Sequence, residues 1–372
     1  MDFNFYMPVK TITGEHCIQQ HAGEFSALGK HCMIVTGRSS AKACGALDDV
    51  VAALEAKGIR WTLFDEVEQN PTVASCLKGA HLAREAGIDF LVGIGGGSPL
   101  DATKAISVYS ADDATVEEAF QGKYSKALPF ILVGTTAGTG SEITQWAILT
   151  QDNGRKRTLG GDLCYARVSF GDPRYTLSLS YKFTISTALD ALSHALEGYF
   201  SSKAGDVSDL FAREAIKSLY GVLCEIEDKP AEAITLEQRS RLYYASLYAG
   251  MTLNHCGTGF PHPMGYFLSE ERGVPHGTAC AVFLPHYIVR GCKFQTEKAT
   301  ALFNYLGIGA GELCDFISRL CDYEPTPVPD QALEELLVRW RTIANFDRSP
   351  GGRDEAYTEQ IMHELFNGRT NQ

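Results

Sequence analysis

"DFLVGIGGGSPLDATKA", residues 89–105, runs from an apolar strand through three consecutive glycines into a segment with helical spacing. Strand, glycine turn and helix in that order make one half of a parallel α/β unit. The same alternation continues on both sides. "HCMIVTG" (31–37), "IRWTLFD" (59–65) and "LPFILVGTT" (128–136) read as further strands. "ALDDVVAALEAKG" (46–58) and "VASCLKGAHLAREAG" (73–87) carry apolar residues at helical spacing. Together they predict a parallel sheet covered by helices, with ligands at the carboxyl ends of its strands.

After "GDPRYTLSLSYKFT" (171–184) the pattern changes to long helical segments at 185–202, 207–225, 236–254, 279–291, 295–305, 310–321, 330–344 and 355–367. Pro173 and the Ser/Thr/Tyr-rich stretch after it place a boundary near 178. The expectation is an α/β nucleotide-binding domain over 1–178 and a helical metal-binding domain over 179–372. A chain of 372 residues exceeds what one core usually serves, which agrees with two domains.

Charged residues make up 21% of the chain and the formal net charge is -12, which argues against nucleic acid or an anionic membrane as partner. A small molecule fits better. No apolar run approaches the roughly 20 residues that span a bilayer, and "MDFNFYMPVK" has neither the basic start nor the apolar core of a signal peptide. A cytoplasmic location is expected. The eleven cysteines include no C-x-x-C pair, so reduced thiols are expected and any metal should use nitrogen and oxygen donors.

Glycines after the 89–97 strand let backbone N–H groups approach a ligand, and the following helix adds its positive end. A phosphate or pyrophosphate is the natural guest. The segment reads G-x-G-G-G-S, not the G-x-G-x-x-G of the usual dinucleotide fold, and a tight turn is the alternative. "GTTAGTGSE" (134–142) is a second small-residue loop, with Thr135, Thr136, Thr139 and Ser141 as donors. Two such loops at one sheet edge favour a nucleotide cleft. A third contact falls at "VTGRSS" (35–40), where an acid often holds the adenine ribose. Here Gly37, Arg38, Ser39 and Ser40 offer space, positive charge and donors instead, which points to NADP(H) over NAD(H).

"TALDALSHALEGY" (187–199) sets Asp190 and His194 four residues apart, so a helix projects both from one face. Alone, that spacing reads as an intrahelical hydrogen bond. "GFPHPMGYFLSEERGVPHG" (259–277) adds His262 and His276, each flanked by Pro and Gly that fix the backbone. Three neutral imidazoles and one carboxylate suit Fe2+, or Zn2+. His255, seven residues before His262, is a spare candidate.

The set "GGGSPLDATK", "TTAGTGSE", "TALDALSHALEGY" and "HPMGYFLSEERGVPHG", with "FYMPVKTITG" (5–14) and "QNPT" (69–72), resembles the iron-containing (group III) alcohol dehydrogenase family in order and spacing. The resemblance covers nearly the whole chain. It implies a Rossmann-like N-terminal domain, an all-α C-terminal domain and a dehydroquinate synthase-like architecture with the active site between them. Asp190, His194, His262 and His276 would hold the metal. Gly95, Gly96, Gly97 and Ser98, with Asp101 nearby, would hold the pyrophosphate. Thr135, Thr136, Thr139 and Ser141 would line the nicotinamide side, and Asn70 and Lys156 would also meet the cofactor, Lys156 at its ribose. Tyr266 stands where many relatives have a further histidine. The activity implied is interconversion of primary alcohols or diols with aldehydes, by a homo-oligomer of dimer size or larger. A glycerol dehydrogenase-like polyol enzyme and a dehydroquinate synthase-like lyase are the alternatives.

Overall fold

The computed structural model describes residues 5–368, so Met1–Asn4 of the opening stretch considered above lie outside the described residues. Its main sheet is built on β2 (His31–Thr36), β4 (Phe90–Gly95) and β5 (Phe130–Gly134), flanked by β1 (Lys10–Thr13), β3 (Arg60–Phe64) and β8 (Val168–Gly171). All neighbours pair in parallel, in the order β1-β8-β5-β4-β2-β3. Every residue of β4 and β5 is buried, which is why these strands read as continuous apolar runs and not as alternation. A separate antiparallel pair is formed by β6 (Ala147–Thr150) and β7 (Lys156–Leu159). β1, β6, β7 and β8 were not expected from the sequence. Each has four residues, too short a run to show a period.

The chain leaves β2 for β3 on one side of the sheet and passes from β4 to β5 on the other. Connections therefore diverge between β2 and β4, and a crevice opens beyond their carboxyl ends. The loops at 37–40 and 95–98 start at those two ends, and the loop at 135–141 follows β5 beside them.

From residue 181 the described chain is helical. The helix Tyr181–Tyr199 starts where Ser180 Oγ accepts from Phe183 N–H, and its residues 188–199 are all buried. Asp206–Ile226 and Leu236–Cys256 pack on it, the latter begun by a Thr235/Gln238 capping box. The single helix expected at 279–291 is instead two, His276–Ala281 and Leu284–Phe294, with Pro285 in the first turn of the second. Proline has no N–H to continue the earlier helix but suits the start of a new one. Pro261 likewise opens Pro261–Glu271. The last segment is helical only to Met362 and closes in a π turn over His363–Asn367. One apolar cluster joins side chains of both halves, including Leu132, Ile143, Leu189 and Tyr243, so the sheet and the helices share a core.

A buried ion pair locks the helix Gly97–Ala111 beneath the crevice. Lys104 Nζ donates to Ser141 Oγ at 2.8 Å and to the Trp146 carbonyl at 2.7 Å. Asp101 accepts from Ser141 Oγ at 2.6 Å and from Ile148 N–H at 2.9 Å, and lies 3.7 Å from Lys104 Nζ. Burial lowers the Lys104 pKa and raises that of Asp101, and each charge partly offsets the shift of the other. Lys104→Ala leaves Asp101 buried without its cation, and a loss of about 3–5 kcal/mol is expected in urea unfolding. A loss under 1 kcal/mol would show that the pair does not hold the helix.

Candidate active site

The helix Tyr181–Tyr199 presents Asp190, His194 and Glu197 at i, i+4 and i+7, one stripe of its surface. His262 enters from the first turn of Pro261–Glu271, and His276 is the first residue of His276–Ala281. Gly277 makes the approach possible. A Cβ there would lie 1.8 Å from the Ser186 carbonyl oxygen and 2.8 Å from Asp190 Cβ, so only glycine allows the two helices this close. Thr278 N–H then donates to Ser186 Oγ at 3.3 Å.

The result is convergent. Asp190 Oδ1 lies 3.8 Å from His194 Nε2, 3.8 Å from His262 Nε2 and 3.6 Å from His276 Nε2. The His194 and His262 rings stack with centroids 4.8 Å apart, and His276 stands edge-on to His262. Among the described residues neither Asp190 Oδ1 nor His262 Nε2 has a hydrogen-bond partner, although both are buried. Unpaired buried groups of this kind cost several kcal/mol unless something compensates. A divalent cation among these atoms is what the donor set fits, since bonds of about 2.0–2.2 Å to tetrahedral ligands put neighbouring donors about 3.5 Å apart.

The protonation states of His194 and His276 agree with that fit. Burial pushes His194 down to about 4 and His276 down to about 3, leaving both imidazoles neutral at physiological pH. Burial alone would raise Asp190, but the His194, His276 and His262 imidazoles and Lys156 hold it below the usual carboxylate range. Burial also opposes charge on His262, yet Cys280 and Glu197 beside it hold its pKa well above the usual value.

Glu197 is the residue the sequence reasoning missed. Its Oε1 lies 2.7 Å from His262 Nδ1 and its Oε2 accepts from Gly259 N–H at 2.8 Å. A carboxylate there assigns the proton to Nδ1 and turns the Nε2 lone pair toward Asp190. The i, i+4, i+7 spacing within an Ala/Leu helix was the signal that could have found it. A second omission is Cys280, buried one turn after His276, whose sulfur belongs to the same group of donor atoms as Asp190, His262 and His276. The sequence expectation counted nitrogen and oxygen donors only, and the structure sets this sulfur beside them. His255 stays apart, its ring beside Phe5 at 6.1 Å.

On the crevice side, Gly95 has φ +151°, and a Cβ there would meet Pro99 at 2.7 Å. Gly96 closes the turn without a capping side chain, and the first turn of Gly97–Ala111 carries no acid, which leaves its N–H groups to an anion. Gly96 and Gly97 lie against Thr136 and Thr139, where a Cβ would come to 3.0 Å of each. The glycine and threonine loops are thus in contact, and Thr135 N–H donates to the Gly95 carbonyl. Asn70, at φ 58°, donates from its N–H to Ser98 Oγ at 3.2 Å and joins the same rim. Gly37 is half-buried and Arg38, Ser39 and Ser40 are exposed just past β2. Asp101 and Ser141 differ from expectation. Both are buried and in contact with each other and with Lys104, so they brace the loop. In "GDLCYA" (161–166), Cys164, Tyr165 and Ala166 are core residues.

Lys156 and Tyr266 occupy the space between crevice and histidines. Lys156 Nζ lies 4.8 Å above the Tyr266 ring, and that ring stacks on His276 at 5.5 Å. The His276 side chain is 33% exposed against 5% for Asp190, so the cluster opens on this side.

Comparison with known proteins gives a consistent result. Residues 8–173 match the family model "Iron-containing alcohol dehydrogenase", and residues 184–325 match "Fe-containing alcohol dehydrogenase family, C-terminal". The chain is 33% identical over 309 residues to a 1,3-propanediol dehydrogenase of Klebsiella pneumoniae, covering 82% of this chain and 77% of that one. It superposes with TM-score 0.90 and 35% identity on the crystal structure of an iron-containing alcohol dehydrogenase from Thermotoga maritima, covering 98% of this chain and 99% of that one. A sulfoacetaldehyde reductase of Bifidobacterium kashiwanohense, crystallised with NAD+, gives TM-score 0.88 at 26% identity over 98% and 99% of the two chains.

Glu197→Gln keeps the size of the side chain but loses its charge toward His262. Metal affinity of the stripped protein is expected to fall by about 10–100-fold in a metal titration, with the fold intact by circular dichroism. An unchanged affinity would reduce the Glu197–His262 contact to a packing role.

Proposed function

Since the chain belongs to the iron-containing alcohol dehydrogenase family, we propose that it interconverts small primary alcohols or diols with their aldehydes, using NADP(H) in preference to NAD(H). The metal is Fe2+, with Zn2+ as the other ion this set accepts, held by Asp190, His194, His262 and His276. The observation that carries the proposal is the buried, unpaired Asp190 Oδ1 facing three imidazole nitrogens at 3.6–3.8 Å. The enzyme works as a cytoplasmic homo-oligomer, with its cofactor bound by the part before residue 178 and its metal by the part after.

When bound, the nicotinamide supplies the hydride and the divalent ion supplies Lewis-acid stabilisation of the charge that develops on the substrate oxygen. The chain's own residues do the rest. Gly95, Gly96, Gly97 and Ser98 give the pyrophosphate a bare turn and a helix N-terminus. Thr135, Thr136 and Thr139 border the nicotinamide end, and Asn70 closes the rim from the other side. Arg38, exposed after β2 in a Gly-Arg-Ser-Ser run that carries no acid, meets the 2'-phosphate. Glu197 fixes the His262 ring. Tyr266, stacked on His276, forms the substrate-side wall and excludes water from it. Lys156 Nζ, its pKa lowered by burial, donates across that wall to the ribose.

His276→Ala is expected to abolish metal-dependent aldehyde reduction while NADPH binding, followed by fluorescence, stays within about twofold. Turnover retained in that variant, or in metal-stripped wild type, would overturn the proposal. Arg38→Ala is expected to weaken NADP(H) by about 10–100-fold, the loss of one charge-assisted bond of about 1.5–3 kcal/mol, and to leave NAD(H) unchanged. Gly37→Asp should push preference toward NAD(H), although its Cβ comes within 3.2 Å of the Val67 carbonyl. An unaltered NADPH to NADH ratio in both variants would show that this loop does not read the phosphate.

A further inference from the structure

Cys280 is fully buried on the helix His276–Ala281, four residues after His276, and therefore on the same face. One donor atom each from Asp190, His262, His276 and Cys280 lie within 4.8 Å of one another. The Sγ atom stands 3.8 Å from both ring nitrogens of His276. Equal distances single out neither nitrogen as a directed partner, and the sulfur also lies beside His262. Asp190 Oδ1 and His262 Nε2, both buried and unpaired, are the second sign that this space expects a guest.

From this geometry we propose that Cys280 is a thiolate donor to the divalent ion, additional to Asp190, His194, His262 and His276. The proposal rests on the reading of the Asp190 cluster as a divalent-ion site. Bonds of about 2.3 Å to sulfur and 2.0–2.2 Å to nitrogen or oxygen put donors about 3.5–3.6 Å apart at a tetrahedral edge, a span that the Asp190–imidazole separations of 3.6–3.8 Å approach and that the group including the sulfur, within 4.8 Å, encloses. Asp190, His262 and His276 are common to two four-ligand sets, one completed by His194 and one by Cys280. With His194 the set is three nitrogens and one oxygen, and with Cys280 it is two nitrogens, one oxygen and one sulfur. The sulfur set suits zinc, which thiolate, imidazole and carboxylate all bind. Binding breaks the Cys280 S–H bond, forms one sulfur–metal bond and passes one proton to solvent. No electron moves.

The test is optical and needs no turnover. Metal-stripped full-length protein is titrated with Co2+ alone, for wild type, Cys280→Ser and Cys280→Ala. Wild type is expected to develop the intense near-ultraviolet sulfur-to-cobalt charge-transfer band together with visible d–d bands, at one ion per chain. Both variants should keep the d–d bands and lose the charge-transfer band. Wild type with d–d bands and no charge-transfer band overturns the thiolate and leaves the metal site standing. A charge-transfer band retained in Cys280→Ser also overturns it, by assigning the sulfur to another cysteine. Absence of stoichiometric cobalt binding in wild type would overturn both the thiolate and the metal site beneath it. The wild-type spectrum decides even if a variant fails to fold.

Discussion

One carboxylate oxygen, Asp190 Oδ1, organises the helical half of this protein. It is buried in the middle of a helix of alanines and leucines, and among the described residues nothing donates to it. Such a group is tolerated only where positive charge arrives from elsewhere. The surroundings are arranged for that arrival. Three imidazoles come to it from three helices, burial keeps two of them neutral, and Glu197 turns the third. Gly277 removes the side chain that would otherwise hold the third helix away.

The sheet contributes the other half of the constraint. Its connections diverge between β2 and β4, so two loop ends open toward one crevice, and a third from β5 presses against them. Lys104, Asp101 and Ser141 fasten these loops from below by a closed set of bonds inside the core. Gly138, in the β5 loop, lies so close to the Asp190 helix that a Cβ would come to 2.7 Å of the Thr187 carbonyl. The nucleotide crevice and the histidine cluster therefore share a rigid border. Lys156 and Tyr266 stand on it.

Much of this was legible in the sequence, for identifiable reasons. β2, β4 and β5 are runs of five or six residues bounded by glycine, long enough to stand out. His262 and His276 stood out because proline and glycine beside them fix backbone rather than fill a core. The rest was hidden by ambiguity of side-chain role. Glu197 reads as a solvated helix residue until its stripe with Asp190 and His194 is drawn, and Cys280 reads as one more buried thiol. Asp101 sits in the motif that suggests a phosphate site, yet its position in the helix turns it inward to Lys104. Four-residue strands such as β1 and β8 owe their existence to the sheet they join, which no local pattern encodes.

The central claim is that the unpaired Asp190 carboxylate is the anchor of a divalent-ion site. Anaerobic calorimetric titration of metal-stripped protein with Fe2+, wild type beside Asp190→Asn, tests it most directly. The account expects one ion bound per wild-type chain, a rise in unfolding temperature with free metal, and loss of both effects in the variant. Wild type that binds no stoichiometric ion, or a variant that binds as well as wild type, would contradict it.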